Sequence, residues 1–115
     1  AAAVARHVDR MNRSILIVPA GEKWPNGTLR PAAEDLIGAG AVIAKLNGSK
    51  SPEAQLALDA YAAAQTRIGE FLLASSSGRE LAERGFEQDV RLAAEVDISS
   101  VVPRFDGVAY RAAGE

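Results

Sequence analysis

Residues 15–40 of this sequence read ILIVPAGEKWPNGTLRPAAEDLIGAG. An apolar run rich in β-branched residues stops at Pro19 and Gly21. A charged loop with the only tryptophan of the chain follows, and Pro31 opens a predicted helix. A short buried strand, a polar loop and a helix in this order are typical of open α/β sheets, which build their sites at the carboxyl ends of the strands. We therefore expect the functional residues to lie in this loop.

The composition is that of one ordinary globular domain. The chain has 115 residues, of which 48% are hydrophobic and 24% charged, with a formal net charge of −2 at pH 7. This length fits a single domain over residues 1–115, or the carboxyl-terminal portion of a larger α/β domain. The charge gives no reason to expect nucleic acid as a partner. No apolar run approaches the ~20 residues of a membrane span, and without cysteine we predict a cytoplasmic protein with no thiolate zinc site.

Helical periodicity and cap residues predict that helices dominate the chain. The predicted helices cover residues 1–11, 31–46, 51–71, 78–84 and 86–96. Ser51, followed by a proline and an acid, is a strong helix start. The helix after it carries one apolar stripe that ends at Phe71.

Only a few segments have the pattern of strands. Residues 14–18 have the pattern of a strand that is covered on both faces, and residues 98–102 are a second strand candidate. Residues 105–110 predict a short hairpin or tail around Asp106. Short strands need neighbours to form a stable sheet. We therefore expect a helix-rich part of an α/β fold, holding two or three strands of a larger mixed or parallel sheet.

The missing strands would come from an amino-terminal half of the protein or from a second copy of the chain. The first residues, Ala1 to His7, have helical character without a preceding cap residue. This pattern agrees with the same interpretation, namely that the chain is the carboxyl-terminal part of a longer protein. We expect either that half or a homo-oligomer as a partner.

Two glycines lie within one predicted helix. Gly38 and Gly40 each cost ~1 kcal/mol relative to alanine in a helix interior. Close approach of another backbone is the usual compensation, so we expect tight packing at both positions.

A second candidate site lies at residues 75–80. Ser77 and Glu80 have the spacing of a capping box. The free amides of a helix start, three hydroxyl groups and Arg79 also describe an anion-binding corner. Taken alone, this stretch needs no explanation beyond a well-capped helix.

Several motifs carry a resemblance to a known family. They are residues 18–24, 27–32, 34–41, 77–81, 85–86 and 89–90. In this combination they resemble the 2-phosphosulfolactate phosphatases. The resemblance implies a layered α/β/α enzyme that uses Mg²⁺ to hydrolyse 2-phospho-3-sulfolactate to 3-sulfolactate and phosphate, a step of coenzyme M biosynthesis. Members of the family are longer and carry further motifs in an amino-terminal half, so part of the site is expected outside this sequence.

The residues near the loop match the needs of such a reaction. Hydrolysis of a phosphate monoester requires neutralised oxygens, a positioned water and a metal ion, and Mg²⁺ prefers one or two carboxylates plus water. The predicted catalytic residues and metal ligands are Glu22, Glu34 and Asp35. The predicted residues for binding the small anionic phosphorylated substrate are Lys23, Arg30, Ser77, Gly78 and Arg79.

Other interpretations of these residues remain open. The helix dipole by itself explains part of the placement of Glu34 and Asp35, and we interpret His7, the only histidine, as structural. The chain could instead be a non-catalytic module that binds a dianionic metabolite through Arg30 and Arg79. A third hypothesis is a purely structural half of a larger assembly.

Overall fold

A computed structural model of the protein describes residues 1–113. The elements in chain order are α1 (Ala2–Asp9), β1 (Glu22–Lys23), β2 (Leu29–Arg30), α2 (Ala33–Ile43), α3 (Pro52–Ala64), a 3₁₀ turn (Gln65–Arg67), α4 (Ile68–Ala74), α5 (Ser76–Glu83), α6 (Glu87–Ala93), β3 (Pro103–Phe105) and β4 (Tyr110–Ala112). The predicted helix-rich, mixed α/β class is confirmed.

The strands differ from the prediction in place and in direction. Within residues 1–113, β1 pairs with β2 and β3 pairs with β4, both antiparallel, and no larger layered sheet forms. The predicted strands at 14–18 and 98–102 lie outside both sheets. The sequence pattern was wrong there because a strand is completed by hydrogen bonds to a neighbour, which the described part of the chain does not offer.

The helix after the loop is shorter at both ends than predicted. It begins at Ala33 rather than Pro31, because Ala32 is still extended with φ −113° and ψ 121°. It ends at Ile43. Beyond this point the Lys45 N–H donates a hydrogen bond to the Val42 carbonyl, and the Leu46 N–H donates one to the Ile43 carbonyl. Such bonds to the third residue back are a common way to end a helix.

The long helix predicted over residues 51–71 is divided in two. The Ser51 cap is confirmed, since its side chain accepts a bond from the Ala54 N–H. The 3₁₀ turn Gln65–Arg67 then interrupts the helix. A 3₁₀ turn has fewer residues per turn and rotates the inward face. Leu72 is therefore buried, while Phe71, predicted to be inward, is 44% exposed.

The core is small and lies between α2, α3, α4 and α6. Its buried members are Ile37, Ala64, Ile68, Leu72 and Val90. Because the members come from distant parts of the chain, the core brings α2, which follows the loop, against the carboxyl-terminal helices.

Close packing explains one of the two helical glycines. A Cβ at Gly40 would lie 2.1 Å from the Ala57 carbonyl oxygen and 2.7 Å from Cβ of Tyr61. The prediction of tight packing is confirmed here, at the crossing of α2 and α3. It is wrong for Gly38, where a Cβ would meet no described atom within 4 Å.

The cap of α5 differs from the predicted capping box. Ser75, not Ser77, is the cap residue: its Oγ accepts from the Gly78 N–H at 3.1 Å and donates to the Leu72 carbonyl at 2.7 Å. Ser75 is the cap because α4 ends directly at this residue, so its one hydroxyl group makes hydrogen bonds at the end of α4 and at the start of α5.

The far end of α5 agrees with the prediction. Gly85 has φ +85°, and the Phe86 N–H donates to the Leu81 carbonyl at 2.8 Å, as in a Schellman motif. The following helix is shorter than residues 86–96, because it covers Glu87–Ala93. Val90 is buried as predicted, whereas Phe86 and Ala93 are exposed.

Ser75→Ala is expected to lower the free energy of unfolding by about 1 kcal/mol, the usual cost of losing a serine cap. Ser77→Ala is the matched control and should change it by less than about 0.5 kcal/mol, as surface substitutions usually do. Urea unfolding followed by circular dichroism measures both. Equal losses in the two variants would contradict the assignment of the cap.

The hairpin predicted near Asp106 is confirmed. Phe105 pairs with Tyr110, and Asp106 Oδ1 accepts from the N–H groups of Val108 at 2.9 Å and Ala109 at 2.8 Å. The bond from Ala109 is the largest of the contacts that lower the pKa of Asp106 to about 2, with further contributions from Arg111 and Val108.

Acid is expected to loosen this hairpin. Because the folded-state pKa of Asp106 lies below its ordinary 3.8, the contacts stabilise the hairpin fully above pH 3.8 and are lost as the pH falls through about 2. An NMR titration of the Val108 and Ala109 amide shifts should have its midpoint near 2. The same titration of Asp106→Asn should show no such step, and a midpoint near 3.8 in the original chain would contradict the geometry.

A large apolar surface remains open beside the loop. Leu16 is 87% and Val18 70% exposed, and residues 14–17 together with Pro19 flank a groove of about 1060 Å³ against α2 and α3. Separately, within residues 1–113 no helix has the length and apolarity that crossing a membrane requires.

Candidate active site

The loop predicted to carry the function is a hairpin. Glu22 pairs with Arg30 and Lys23 with Leu29. Residues 25–27 make the turn of this hairpin, and the Gly27 N–H donates to the Trp24 carbonyl at 2.8 Å. The sequence analysis treated the flanking residues as irregular loop, although the turn between two short runs was the signal for pairing. Pairing places Glu22, Lys23 and Arg30 on one small ribbon.

Gly21 and Asp35 anchor this hairpin to α2. The Gly21 N–H donates to Oδ2 of Asp35 at 2.6 Å. Gly21 has φ +71°, and a Cβ there would lie 2.8 Å from the Arg30 carbonyl oxygen. Both facts require glycine. One carboxylate oxygen of Asp35 is therefore engaged in holding the loop in place.

Arg30 is the best-defined side chain of the site. Its Nη1 donates to Oε1 of Glu80 at 2.5 Å and its Nη2 donates to Oε2 at 3.1 Å. The guanidinium carbon lies 5.3 Å from the centre of the Trp24 ring. The Arg30 side chain is only 13% exposed, against 54% for Glu80. A bidentate carboxylate on one side and an aromatic face beside it hold the guanidinium in one orientation.

Acidic neighbours shape the electrostatics around Arg30. The hydrogen bond that Arg30 donates to Glu80, followed by the charges of Glu80, Glu22 and Glu34, raises the pKa of Arg30. The same hydrogen bond lowers the pKa of Glu80. Arg30 is thus a permanent cation in the field of three carboxylates, of which Glu80 contacts it.

The pair of Arg30 and Glu80 joins the two candidate sites of the sequence. Glu80 belongs to α5, whose first residues include Ser77, Gly78 and Arg79. Fifty residues of sequence separate the two partners. The hairpin and α5 are therefore in contact through this pair, which the sequence pattern did not predict.

The remaining predicted substrate-binding residues differ in exposure. Lys23 and Arg79 are exposed, and Ser77 is half-buried. Gly78 is buried, and a Cβ there would lie 1.9 Å from the Leu72 carbonyl oxygen, so its place is explained by packing of α5 on α4. Glu80 was missed as a site residue, because its capping-box spacing offered a sufficient local explanation.

The predicted metal ligands can be compared with the needs of Mg²⁺. Residues 1–113 contain no group of three or more His, Cys, Asp or Glu that could hold a metal, so Glu22, Glu34 and Asp35 do not form a three-carboxylate site. Mg²⁺ commonly takes only one or two carboxylates, with water and substrate phosphate completing its shell. Oε2 of Glu34 is buried and has no hydrogen-bond partner among the described residues. Glu34 therefore fits as a single ligand, and the described residues alone do not enclose the ion.

The structure is that of a helix-rich α/β protein in which Arg30, Glu80 and Trp24 meet beside the hairpin. The sequence model described as 2-phosphosulpholactate phosphatase matches residues 1–107, and the chain belongs to this family. The resemblance seen in the sequence is confirmed.

A curated relative carries a related description. It is the "Probable 2-phosphosulfolactate phosphatase" of Pseudothermotoga lettingae (strain ATCC BAA-301 / DSM 14385 / NBRC 107922 / TMO), 29% identical over 97 residues. The aligned part covers 84% of this chain, and the chain spans 41% of the length of that relative. No solved structure gives a significant match.

Proposed function

We propose that the protein takes part in the hydrolysis of a small phosphorylated acid, with 2-phospho-3-sulfolactate as the substrate and 3-sulfolactate and phosphate as products. The single observation that carries this proposal is the oriented Arg30, held by Glu80 and Trp24 beside the hairpin. Membership of the phosphatase family supports it, as does the description of the Pseudothermotoga lettingae relative.

In this proposal Arg30 and Lys23 bind the phosphate, and Arg79 binds the sulfonate or carboxylate at the other end of the substrate. Planar guanidinium groups match these anions bidentately. Glu22 or Glu34 accepts a proton from the attacking water as its oxygen bonds to phosphorus. The bond between phosphorus and the substrate oxygen breaks, and that oxygen takes up a proton.

Mg²⁺ is proposed as the cofactor, with ligands drawn from Glu22, Glu34 and the free oxygen of Asp35. The ion would supply charge stabilisation for the phosphate oxygens. Titration of Mg²⁺ against the protein by calorimetry tests this point without any turnover. Glu34→Gln should weaken the binding, whereas Glu87→Gln on the outer face of α6 should not.

We further propose that another part of the protein covers the apolar groove beside residues 14–19. The chain spans 41% of the relative, so the unmatched remainder of that protein is the expected type of occupant. Contiguous exposed apolar surface such as that of Leu16 and Val18 commonly marks an interface. A second copy of this chain is the competing occupant.

Phosphate release from racemic 2-phosphosulfolactate tests the function, with Mg²⁺ and then with EDTA. The assay uses this chain alone and mixed with the unmatched part of the Pseudothermotoga lettingae relative. Metal-dependent release only in the mixture would support both the activity and a divided site. Absence of release in every mixture, from protein shown to be folded by circular dichroism, would contradict the proposal.

One observation favours a second candidate function. Arg30 is held by a bidentate contact with Glu80 and by the face of Trp24, and binding of an anion requires no further chemistry. A module that binds a dianionic metabolite and catalyses nothing would have this combination. Thermal stabilisation by sulfolactate or phosphate without turnover would favour it.

A further inference from the structure

The geometry of the pair formed by Glu80 and Arg30 indicates a role beyond stabilising the fold. The pair lies between α5 and the hairpin, where the Glu80 side chain is 54% exposed and the Arg30 side chain 13% exposed. Exposed ion pairs typically contribute at most about 1 kcal/mol to folding. The bidentate contact nevertheless fixes the plane of the guanidinium, because two N–H groups and two carboxylate oxygens must align.

We propose that Glu80 is a positioning residue, which holds Arg30 ready to bind the phosphate of the substrate. This inference rests on the proposed function. A guanidinium has more N–H donors than the pair uses, and the free ones lie in the same plane. Glu80 therefore leaves donors on Arg30 for an anion while removing the rotational freedom that the side chain would otherwise lose on binding.

The neighbours of the pair support the proposal that Glu80 orients Arg30 while Arg30 binds the anion. Trp24 lies 5.3 Å from the guanidinium carbon, so the side chain is confined on a second side. Glu22 and Glu34 also raise the pKa of Arg30, but neither makes a hydrogen bond to it within the described residues. Glu80 is thus the one described carboxylate that both contacts and orients Arg30.

A competing role of Glu80, in which it blocks Arg30 from the anion, leads to a different expected result. If Glu80 only competed with the anion for Arg30, then removing its carboxylate would strengthen anion binding. If Glu80 positions Arg30, removing it weakens anion binding, and glutamine restores part of the loss, because its amide oxygen still accepts a hydrogen bond.

Trp24 provides a direct readout, since it is the only tryptophan of the chain. Its fluorescence is recorded without ligand and during titration with inorganic phosphate, for the original chain and for Glu80→Ala, Glu80→Gln and Glu87→Gln. Glu87 forms a similar pair with Arg91 within α6 and serves as the matched control.

We expect Glu80→Ala to shift the emission of Trp24 and to weaken phosphate binding about tenfold, equivalent to about 1.4 kcal/mol. Glu80→Gln should be intermediate, and Glu87→Gln should behave like the original chain. Unchanged emission in Glu80→Ala, or phosphate binding as tight as or tighter than in the original chain, would overturn the proposal.

The test of the role of Glu80 and the test of the proposed phosphatase function can fail independently. Phosphate binding with the expected order of variants but no phosphate release would remove the phosphatase and keep the role of Glu80. Phosphate release that is insensitive to Glu80→Ala would keep the phosphatase and remove the role. In an active mixture, Glu80→Ala should raise KM more than it lowers kcat, which a general loss of structure would not produce.

Discussion

Gly40→Ala is expected to lower the free energy of unfolding by about 3 kcal/mol, at the upper end of the usual cost of overpacking. The added Cβ would lie 2.1 Å from the carbonyl oxygen of Ala57 and 2.7 Å from Cβ of Tyr61. Both obstacles belong to the rigid part of α3, so α2 and α3 must move apart. That movement would open contacts of the small core around Ile37.

Gly38→Ala is the control for this prediction. It lies two residues away in the same helix, with no described atom within 4 Å of a Cβ. Alanine should therefore stabilise the helix there by about 0.5–1 kcal/mol. Urea unfolding monitored by circular dichroism measures both variants. Changes of the same sign and size would contradict the packing of α2 on α3.

Arg30→Ala is expected to lower kcat/KM for phosphate release about 100-fold, the scale seen when one oriented donor to a reacting oxyanion is removed. Arg30→Lys should restore little of this loss, because an ammonium cannot reproduce bidentate contacts. The reason lies in the geometry: Arg30 is the cation that Glu80 and Trp24 hold in place.

Arg91→Ala is the matched control for the loss of positive charge. Arg91 also pairs with a glutamate, Glu87, but on the exposed face of α6. Arg91→Ala should keep its phosphate release and melt within a few degrees of the original chain, since it loses an exposed ion pair. Full activity of Arg30→Ala in a mixture where the original chain releases phosphate would contradict the proposed site.

Local features of the chain were predicted well. The cap at Ser51, the helix end at Gly85 and the hairpin around Asp106 all agree with the structure. Each depends on bonds between residues only a few positions apart. Residue type at fixed spacing is then sufficient, because the partners are covalently close whatever the rest of the chain does.

Strands and helix breaks were predicted less well. Residues 14–18 have the composition of a buried strand, yet they are unpaired in the described part of the protein. The break at Gln65–Arg67 has no proline or glycine to mark it. Composition indicates only which secondary structure a segment favours, whereas strand pairing and burial depend on which neighbouring segments are present.

The sequence by itself determined the helix-rich α/β class, the family and the residues of the loop, because motifs and periodicity depend only on the order of the residues. The tertiary structure alone decided that Gly40 rather than Gly38 is packed tightly, and that Ser75 rather than Ser77 caps α5. It also decided that Arg30 meets Glu80 across 50 residues. For Gly40 and Arg30 the physical reason is the approach of a segment distant in sequence, which local propensity does not report; for Ser75 it is the point at which α4 ends and α5 begins.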